Sequence, residues 1–411
     1  MKFINQYKGL GKEIYVLFVC KLIDNLGSMI GPMLTLILSS KLGMKATEIA
    51  IFSTIFMIIS LPVQLLGGKI CDKFNKKLVL NIGDISTSIL YIVCGLMGIS
   101  KTTIIIYYLG SLIQQVESPV YESLVADFSI GEKREKAYSL LYLGLNLGMM
   151  LAPTIGGFLL NDYAELIFIF NGIFQLISIV IFDIFIKNTT AQIDSENKYE
   201  EKVDDLSTFT ILKQNKVIFY FIIIFSFSIF AYNMWSFLMP LTLNSIQGEL
   251  GSIYYGTMST MNCIVVVLFT APITSFIIRM IAIDKMILGN ALELIGFVIF
   301  VMFVNVPFMY YIAIVLFTFG EIINTITTSP YLTKRIPINY RGRIYAACNF
   351  FNAIVIAIGQ YVIGIVYDNY NMIVSWSIVF VIYIITILIY QLLKKEDRKA
   401  YPDLYEKENL M

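Results

Sequence analysis

The sequence predicts an all-α integral membrane protein, with twelve transmembrane helices in two six-helix pseudo-repeat bundles. Three observations predict it. Of the 411 residues, 57% are hydrophobic and 14% charged, too few polar groups to cover the surface of a soluble globule. Apolar runs of about 20 residues recur down the whole length, each long enough to cross a bilayer core of roughly 30 Å as a helix; the short alternating strands of a membrane barrel are absent. The two halves also echo each other at an offset of 207 without a gap: Arg134 falls on Arg341, Tyr138 on Tyr345, Gly157 on Gly364 and Tyr163 on Tyr370. That is the mark of an internal repeat.

Span one, roughly 14 to 40, follows lysines at 2, 8 and 12 and has no small-residue cleavage site after it, so it reads as a retained helix. It carries Lys21, Asp24, Asn25 and Ser28 at spacings of three, four and seven, hence on one stripe. Lys21 and Asp24 either pair along the helix or serve substrate or proton binding. Span two, 46 to 68, runs into Gly67–Lys77, GGKICDKFNKK, where four lysines crowd into nine residues before the next apolar run; this reads as a tight loop on the cytoplasmic side. Span three, 78 to 100, holds Asp84, expected within a turn or two of the cytoplasmic surface.

Span four, 102 to 128, is the most polar. At 100° per residue, Ser111, Gln114, Gln115, Glu117, Ser118, Tyr121 and Glu122 fall within an arc of about 160°. A carboxylate at mid-membrane costs about 2.5 to 3.5 kcal/mol on insertion scales, so Glu117 and Glu122 need a partner, a proton or a wet cavity. For Glu122 the alternative is a solvated place near the cytoplasmic end. Span five, 137 to 160, repeats Gly144, Gly148, Ala152, Gly156 and Gly157 every four or so residues, which lets helices approach closely, and Pro153 should bend it. Span six, 164 to 187, completes the first half.

Residues 188 to 216, with IDSENKYEEKVDDLS at their centre, are polar, mixed in charge and without apolar period; they read as a cytoplasmic linker. The expected organisation is therefore an N-terminal bundle 1–187, the linker 188–216, a C-terminal bundle 217–393 and a cytoplasmic tail 394–411. The later spans are 217 to 244, 252 to 278, 283 to 303, 307 to 332, 344 to 367 and 371 to 393. Span ten sets Glu321, its sole acid, on one face with Asn324, Thr325 and Thr328; Glu293 stands alone in span nine. Aromatic and amide stripes in span five (Tyr138, Tyr142, Asn146), span seven (Tyr232, Asn233, Trp235, Ser236) and span eleven (Tyr345, Asn349, Asn352, Gln360) serve either helix packing or ligand contact.

With the N-terminus inside, all but four of the 30 Lys and Arg fall on cytoplasmic segments: Lys41, Lys45 and Lys101 lie outside and Lys21 within a helix. This bias sets both termini in the cytoplasm of a multi-pass cell-membrane protein. The net charge of +1 comes from basic residues spread among loops, so no nucleic-acid surface is expected. The five cysteines stand singly, with no CxxC pair, and the chain has no histidine; neither a metal site, a cofactor site nor a disulfide framework is expected. If protons move, carboxylates carry them. An embedded enzyme is not expected either, for there is no HExxH, no GxSxG and no glycine-rich phosphate loop.

Gly68, Asp72, Lys73, Lys76 and Lys77 resemble the signature loop of the major facilitator superfamily, departing from it at Asn75, where that family usually has glycine. Asparagine tolerates the left-handed backbone that glycine would supply, so the turn is expected to survive. The GLNLGMMLAPTIGG stretch, with Gly148, Pro153, Gly156 and Gly157, resembles the motif of the superfamily's drug/proton antiporter branch, with Ala152 where glycine is usual. GEIINTITTSP, Gly320–Pro330, is similar to span ten of the lactococcal-type multidrug transporters, in which an acid at the position of Glu321 serves cation binding or proton coupling. Two departures accompany the likeness: Leu141 stands where those transporters use another acid, and Tyr107 where the branch has an arginine.

What the resemblance implies is a secondary transporter whose spans one, four, seven and ten line a central cavity. Protonation of Glu117, Glu321 or Asp24 would exchange against a small-molecule substrate, and the protein would act as a monomer in the lipid bilayer. Asp72 would face the start of span eleven near Arg341, and the basic stretch would meet Asp127, in the segment that leads through Arg134 into span five. The first expectation is export of amphiphilic, cationic molecules. The alternatives are a specific carrier for a peptide, sugar or other metabolite, or a receptor on the same scaffold.

Overall fold

The computed structural model describes residues 9–129, 132–187, 212, 215–336 and 341–405; inside its helices the side chains at 61, 65, 68, 69, 71–73, 118, 119, 122, 123, 126, 132–135, 333, 341–343 and 346 are not described. The side-chain expectations for Gly68, Asp72, Lys73, Glu122, Arg134 and Arg341, and all of the linker except residues 212, 215 and 216, thus lie outside the described residues.

Among the described residues every regular element is helical. Span one is α1 (Lys12–Gly27) and α2 (Ile30–Leu36) followed by a π turn, Ile37–Lys41; then come α3 (Ala46–Lys73), α4 (Lys76–Met97) and α5 (Lys101–Asp127). Span five is α6 (Glu132–Met149) and α7 (Ala152–Asp162), and span six is α8 (Ala164–Phe185). Span seven comprises α9 (Lys216–Tyr232), a 3-10 turn at Asn233–Trp235 and α10 (Leu238–Gln247). The rest are α11 (Leu250–Ile277), α12 (Ala282–Met302), α13 (Pro307–Arg335), α14 (Arg341–Asn369) and α15 (Met372–Ala400). Eleven helical stretches among the described residues are long and apolar enough to cross a membrane. The expected twelfth, α5, is not among them: its 27 residues span about 40 Å by helical rise, but it carries the polar face.

The Gly67–Lys77 stretch is not the expected loop. Helix α3 continues through Lys73, which leaves Phe74 and Asn75 to make the connection. Asn75 is extended, with φ −63° and ψ 116°, not left-handed. Its side-chain oxygen accepts from the backbone N–H of Lys77 at 3.0 Å and of Leu78 at 3.3 Å. Asparagine works here as the N-cap of α4, satisfying two of the donors that a helix start leaves open. Pro153 sits in the first turn of α7, where its missing N–H removes no helical bond, and span five breaks just before it.

The chain divides into two compact units, Met1–Met44 with Phe52–Lys198 and Gln247–Cys263, and Lys45–Ile51 with Tyr199–Ile246 and Ile264–Met411. In the first, α1 packs on α6 and α8, and α4 on α5 and α8; in the second, α9 packs on α14 and α15, and α12 on α13 and α15. The same helices of each half pair in the same order, as an internal repeat requires. Ile14, Leu17, Leu80, Leu124 and Phe182 centre the apolar core of the first unit; Phe221, Ile222, Met286, Leu332 and Tyr390 centre that of the second.

Lipid tails are as apolar as leucine, so helices associate in a bilayer by close fit. Gly148 shows the fit: a Cβ there would lie 2.6 Å from both Asn25 Cβ and the Leu22 carbonyl oxygen of α1. A Cβ at Gly156 would lie 2.9 Å from Met33 Cγ, and the Gly157 carbonyl accepts the Ser252 hydroxyl at 2.9 Å. Leu96, Phe276 and Phe308 are 74%, 81% and 69% exposed, outward side chains of the kind a bilayer covers. Helix α15 runs to Ala400, past the expected end of span twelve at 393, and Tyr405 beyond it is buried.

Candidate functional site

Among the described residues, each unit has a cavity lined by the helices with polar stripes. In the first unit a cavity of about 270 Å³ is lined by Lys21 and Asp24 of α1, Ser28 just past its end, Asp84 of α4 and Gln114, Glu117 and Tyr121 of α5. The stripe at spacings of three, four and seven does place Lys21, Asp24 and Ser28 together. Asn25 leaves it: the side chain is buried and donates to the Lys21 carbonyl at 2.7 Å, on the flank against Gly148. Lys21 sets its ammonium over the Tyr121 ring, 5.1 Å from the centroid, rather than in an ion pair with Asp24. The Tyr121 hydroxyl in turn donates to the Leu17 carbonyl at 2.9 Å.

Asp84 lies about two turns into α4, which begins at Lys76. It faces the cavity and accepts a 2.8 Å hydrogen bond from Gln175 Nε2 of α8. Glu117 is 6% exposed. Tyr107 of α5, a departure from the family likeness, packs into a ring cluster, 5.4 Å from Tyr91, 5.5 Å from Tyr108 and 6.1 Å from Phe168. Leu141, at the position of a missing acid, belongs to the apolar core.

The second unit holds the larger cavity, about 400 Å³. Glu321, Asn324, Thr325 and Thr328, the whole predicted stripe of α13, line it together with Phe225 and Tyr232 of α9 and Tyr345, Asn349 and Asn352 of α14. Glu321 Oε1 accepts from the Tyr232 hydroxyl at 2.9 Å. Tyr232 and Trp235 both stack on Phe317, at 5.5 and 5.6 Å. Of the stacked rings Tyr232 lines the cavity, and the stack braces it beside the carboxylate.

Glu293 of α12 also reaches the cavity, but both its oxygens are engaged: Asn324 Nδ2 donates at 2.8 Å and the Tyr383 hydroxyl at 3.0 Å. It is 1% exposed, so it ties α12, α13 and α15 together and presents little to a ligand. Glu321, half-buried, lines the same cavity. Sequence reasoning missed Gln175 altogether and left Asp84 and Glu293 without a role. A lone polar residue in an apolar helix was the only signal they gave.

At the end of α3, Lys76 Nζ pairs with Asp127 Oδ2 at 2.5 Å and Lys77 with Asp183 at 2.8 Å, tying the start of α4 to the ends of α5 and α8. Elsewhere Asp368 of α14 caps α3, accepting from the N–H groups of Ala46 at 3.0 Å and Thr47 at 2.8 Å.

The family model described as the Major Facilitator Superfamily matches residues 17–360. The chain belongs to the Major Facilitator Superfamily. Among curated relatives of this superfamily, the uncharacterised transporter YqjV of Bacillus subtilis (strain 168) is 23% identical over 349 residues, which cover 84% of this chain and 83% of YqjV. The quinolone resistance protein NorA of Staphylococcus aureus is 24% identical over 187 residues, 44% of this chain and 48% of NorA; the match spans about half of that relative. Among solved structures, the nucleoside transporter NupG superposes with a TM-score of 0.74 at 13% identity, over 94% of this chain and all of NupG. A POT family transporter bound to a thioalcohol-conjugated peptide gives 0.76 at 13% identity, over 95% and 99% of the two chains. Likeness at such identities establishes the facilitator fold, and it is membership of the superfamily that makes the chain a multi-span membrane transporter of small molecules.

Proposed function

We propose that the protein is a proton-coupled exporter of amphiphilic, cationic small molecules that works by alternating access in the cell membrane, with both termini in the cytoplasm. The observation that carries this reading is Glu321, an acid beside Tyr232 in a cavity that Phe225 and Tyr345 also line and that is large enough for a small molecule. A carboxylate attracts a cation through charge, and ring faces attract it through their quadrupoles; apolar walls with a few placed polar groups suit an amphiphile. The antiport logic follows from one carboxyl serving two ligands. A proton and a cation on Glu321 exclude each other, so binding of one promotes release of the other. The partial match to a quinolone resistance protein supports export.

The second reading, a specific carrier, draws on the first-unit cavity, where Lys21 and Asp24 offer opposite charges to a zwitterion. Substrate-driven flux in sealed vesicles separates the two. Under an imposed proton gradient, lipophilic cations are expected to move while dipeptides, sugars and nucleosides do not. Flux of a dipeptide or sugar with none of any cation would sink the exporter reading and favour the specific carrier.

A further inference from the structure

We infer that Asp84 and Glu117 form a carboxyl pair that binds a single proton between them, a proton site of the first unit separate from the cation site at Glu321. Glu117, from α5, and Asp84, from α4, line the same cavity, and the Glu117 carboxyl occupies the space that a side chain on Gly83, the residue next to Asp84, would fill. Two carboxyl groups brought this close can hydrogen-bond to each other only when one of them carries a proton, because an ionised carboxylate has no hydrogen to give. Two negative charges at that distance would repel each other.

The surroundings agree with a neutral Glu117. Its Oε1 is buried without a hydrogen-bond partner. An ionised group would concentrate charge on an oxygen that nothing solvates, at far higher cost than a neutral acid. The nearby Gln175 Oε1 is likewise buried and unpartnered, while its amide nitrogen holds Asp84. Gln175 therefore orients Asp84 to accept and supplies no proton to Glu117.

Gly83 makes the pairing sterically possible. A Cβ at this position would overlap Glu117 Oε1, so the missing side chain next to Asp84 is the seat of the Glu117 carboxyl. The other charged and titratable groups facing the pair are Lys21, Asp24 and Cys20 of α1, Tyr91 of α4 and Tyr107 and Tyr121 of α5. Lys21 is the one cation among these described groups, and it is turned over the Tyr121 ring. Neither carboxylate has an ion pair with it to replace the proton. When the cavity hydrates, the proton passes from Glu117 to water, which leaves two carboxylates near Lys21.

The role in transport rests on the exporter reading, but the proton site does not, and the test uses no substrate. The infrared spectrum of the purified full-length protein, recorded in H2O and D2O at neutral pH, reports buried protonated carboxyls directly. Glu117→Gln and Asp84→Asn are each expected to remove or shift the same carboxylic-acid band. Gly83→Ala, which moves the Glu117 carboxyl without deleting it, should shift that band, and Glu396→Gln on the exposed end of α15 should leave it in place. A band unchanged in both carboxyl variants, or changed in only one of them, overturns the shared proton. Should either amide variant fail to fold, an unshifted band in Gly83→Ala does the same. Loss of the shared band leaves the exporter reading intact, and failure of cation flux leaves the carboxyl pair intact.

Discussion

Replacing Asp397 with alanine is expected to lower stability by about 3 to 5 kcal/mol, the usual result of stranding one partner of a buried ion pair. Arg335 grips Asp397 with both arms, Nε to Oδ1 and Nη2 to Oδ2, each at 2.7 Å. Their side chains are 1% and 0% exposed. The Tyr331 and Tyr405 hydroxyls add donors to the same carboxylate at 3.0 and 2.7 Å, and the guanidinium lies 3.7 Å from the Tyr331 ring centroid. Burial works most strongly against the guanidinium charge, but the hydrogen bonds to Asp397 and the electrostatic pull of Tyr331, Asp397 and Tyr405 together outweigh it and hold the group above its ordinary pKa. With the carboxylate gone, a charge and two hydroxyls lose their partner at once.

The measurement is the thermal midpoint of the detergent-purified protein at a fixed scan rate, because unfolding of such proteins is commonly irreversible. Asp397→Ala should melt far below the parent, and the double variant Arg335→Met, Asp397→Leu should recover much of the difference, since no unpaired charge remains. The exposed Lys399–Glu396 pair, at 2.8 Å, is the contrast; Glu396→Gln should change stability by less than about 1 kcal/mol. Equal midpoints for Asp397→Ala and Glu396→Gln would show that the buried pair holds nothing together.

Glu321→Gln is expected to weaken binding of a lipophilic cation by about 10- to 100-fold, the loss of one charge-assisted contact worth about 1.5 to 3 kcal/mol. Glutamine keeps an acceptor for the Tyr232 hydroxyl, which now bonds Glu321 Oε1 at 2.9 Å, so the Tyr232 ring stays in place and the variant isolates the charge. Glu321→Asp retains the charge on a shorter stem and should bind more tightly than Glu321→Gln. Equilibrium binding to the purified protein reads both. Unchanged affinity in Glu321→Gln would remove this acid from the cation site and leave the cavity with another occupant.

The stripes were legible because helical spacing alone settles which side chains share a face. Glu321, Asn324, Thr325 and Thr328 all line one cavity, and Lys21, Asp24 and Ser28 another. The partners of lone polar residues were not legible, because they come from helices remote in sequence. Gln175 meets Asp84 across 91 residues and Tyr383 meets Glu293 across 90. Asn75 was misread for a different reason: a glycine position suggested a left-handed turn, but α3 persists to Lys73 and the asparagine is spent on capping α4. Asp397 was hidden in a charged run, KKEDRK, which reads as a solvated tail. Only the approach of Arg335 from α13 distinguishes it from the exposed charges beside it.

Exchange of cation for proton through the carboxyl groups of this facilitator is tested most directly by proton movement in sealed proteoliposomes. With a pH-sensitive dye inside and a lipophilic cation added outside, the parent should move protons against the cation, in step with its concentration, and Glu321→Gln should not. Cation flux that leaves the internal pH unchanged would contradict proton-coupled exchange.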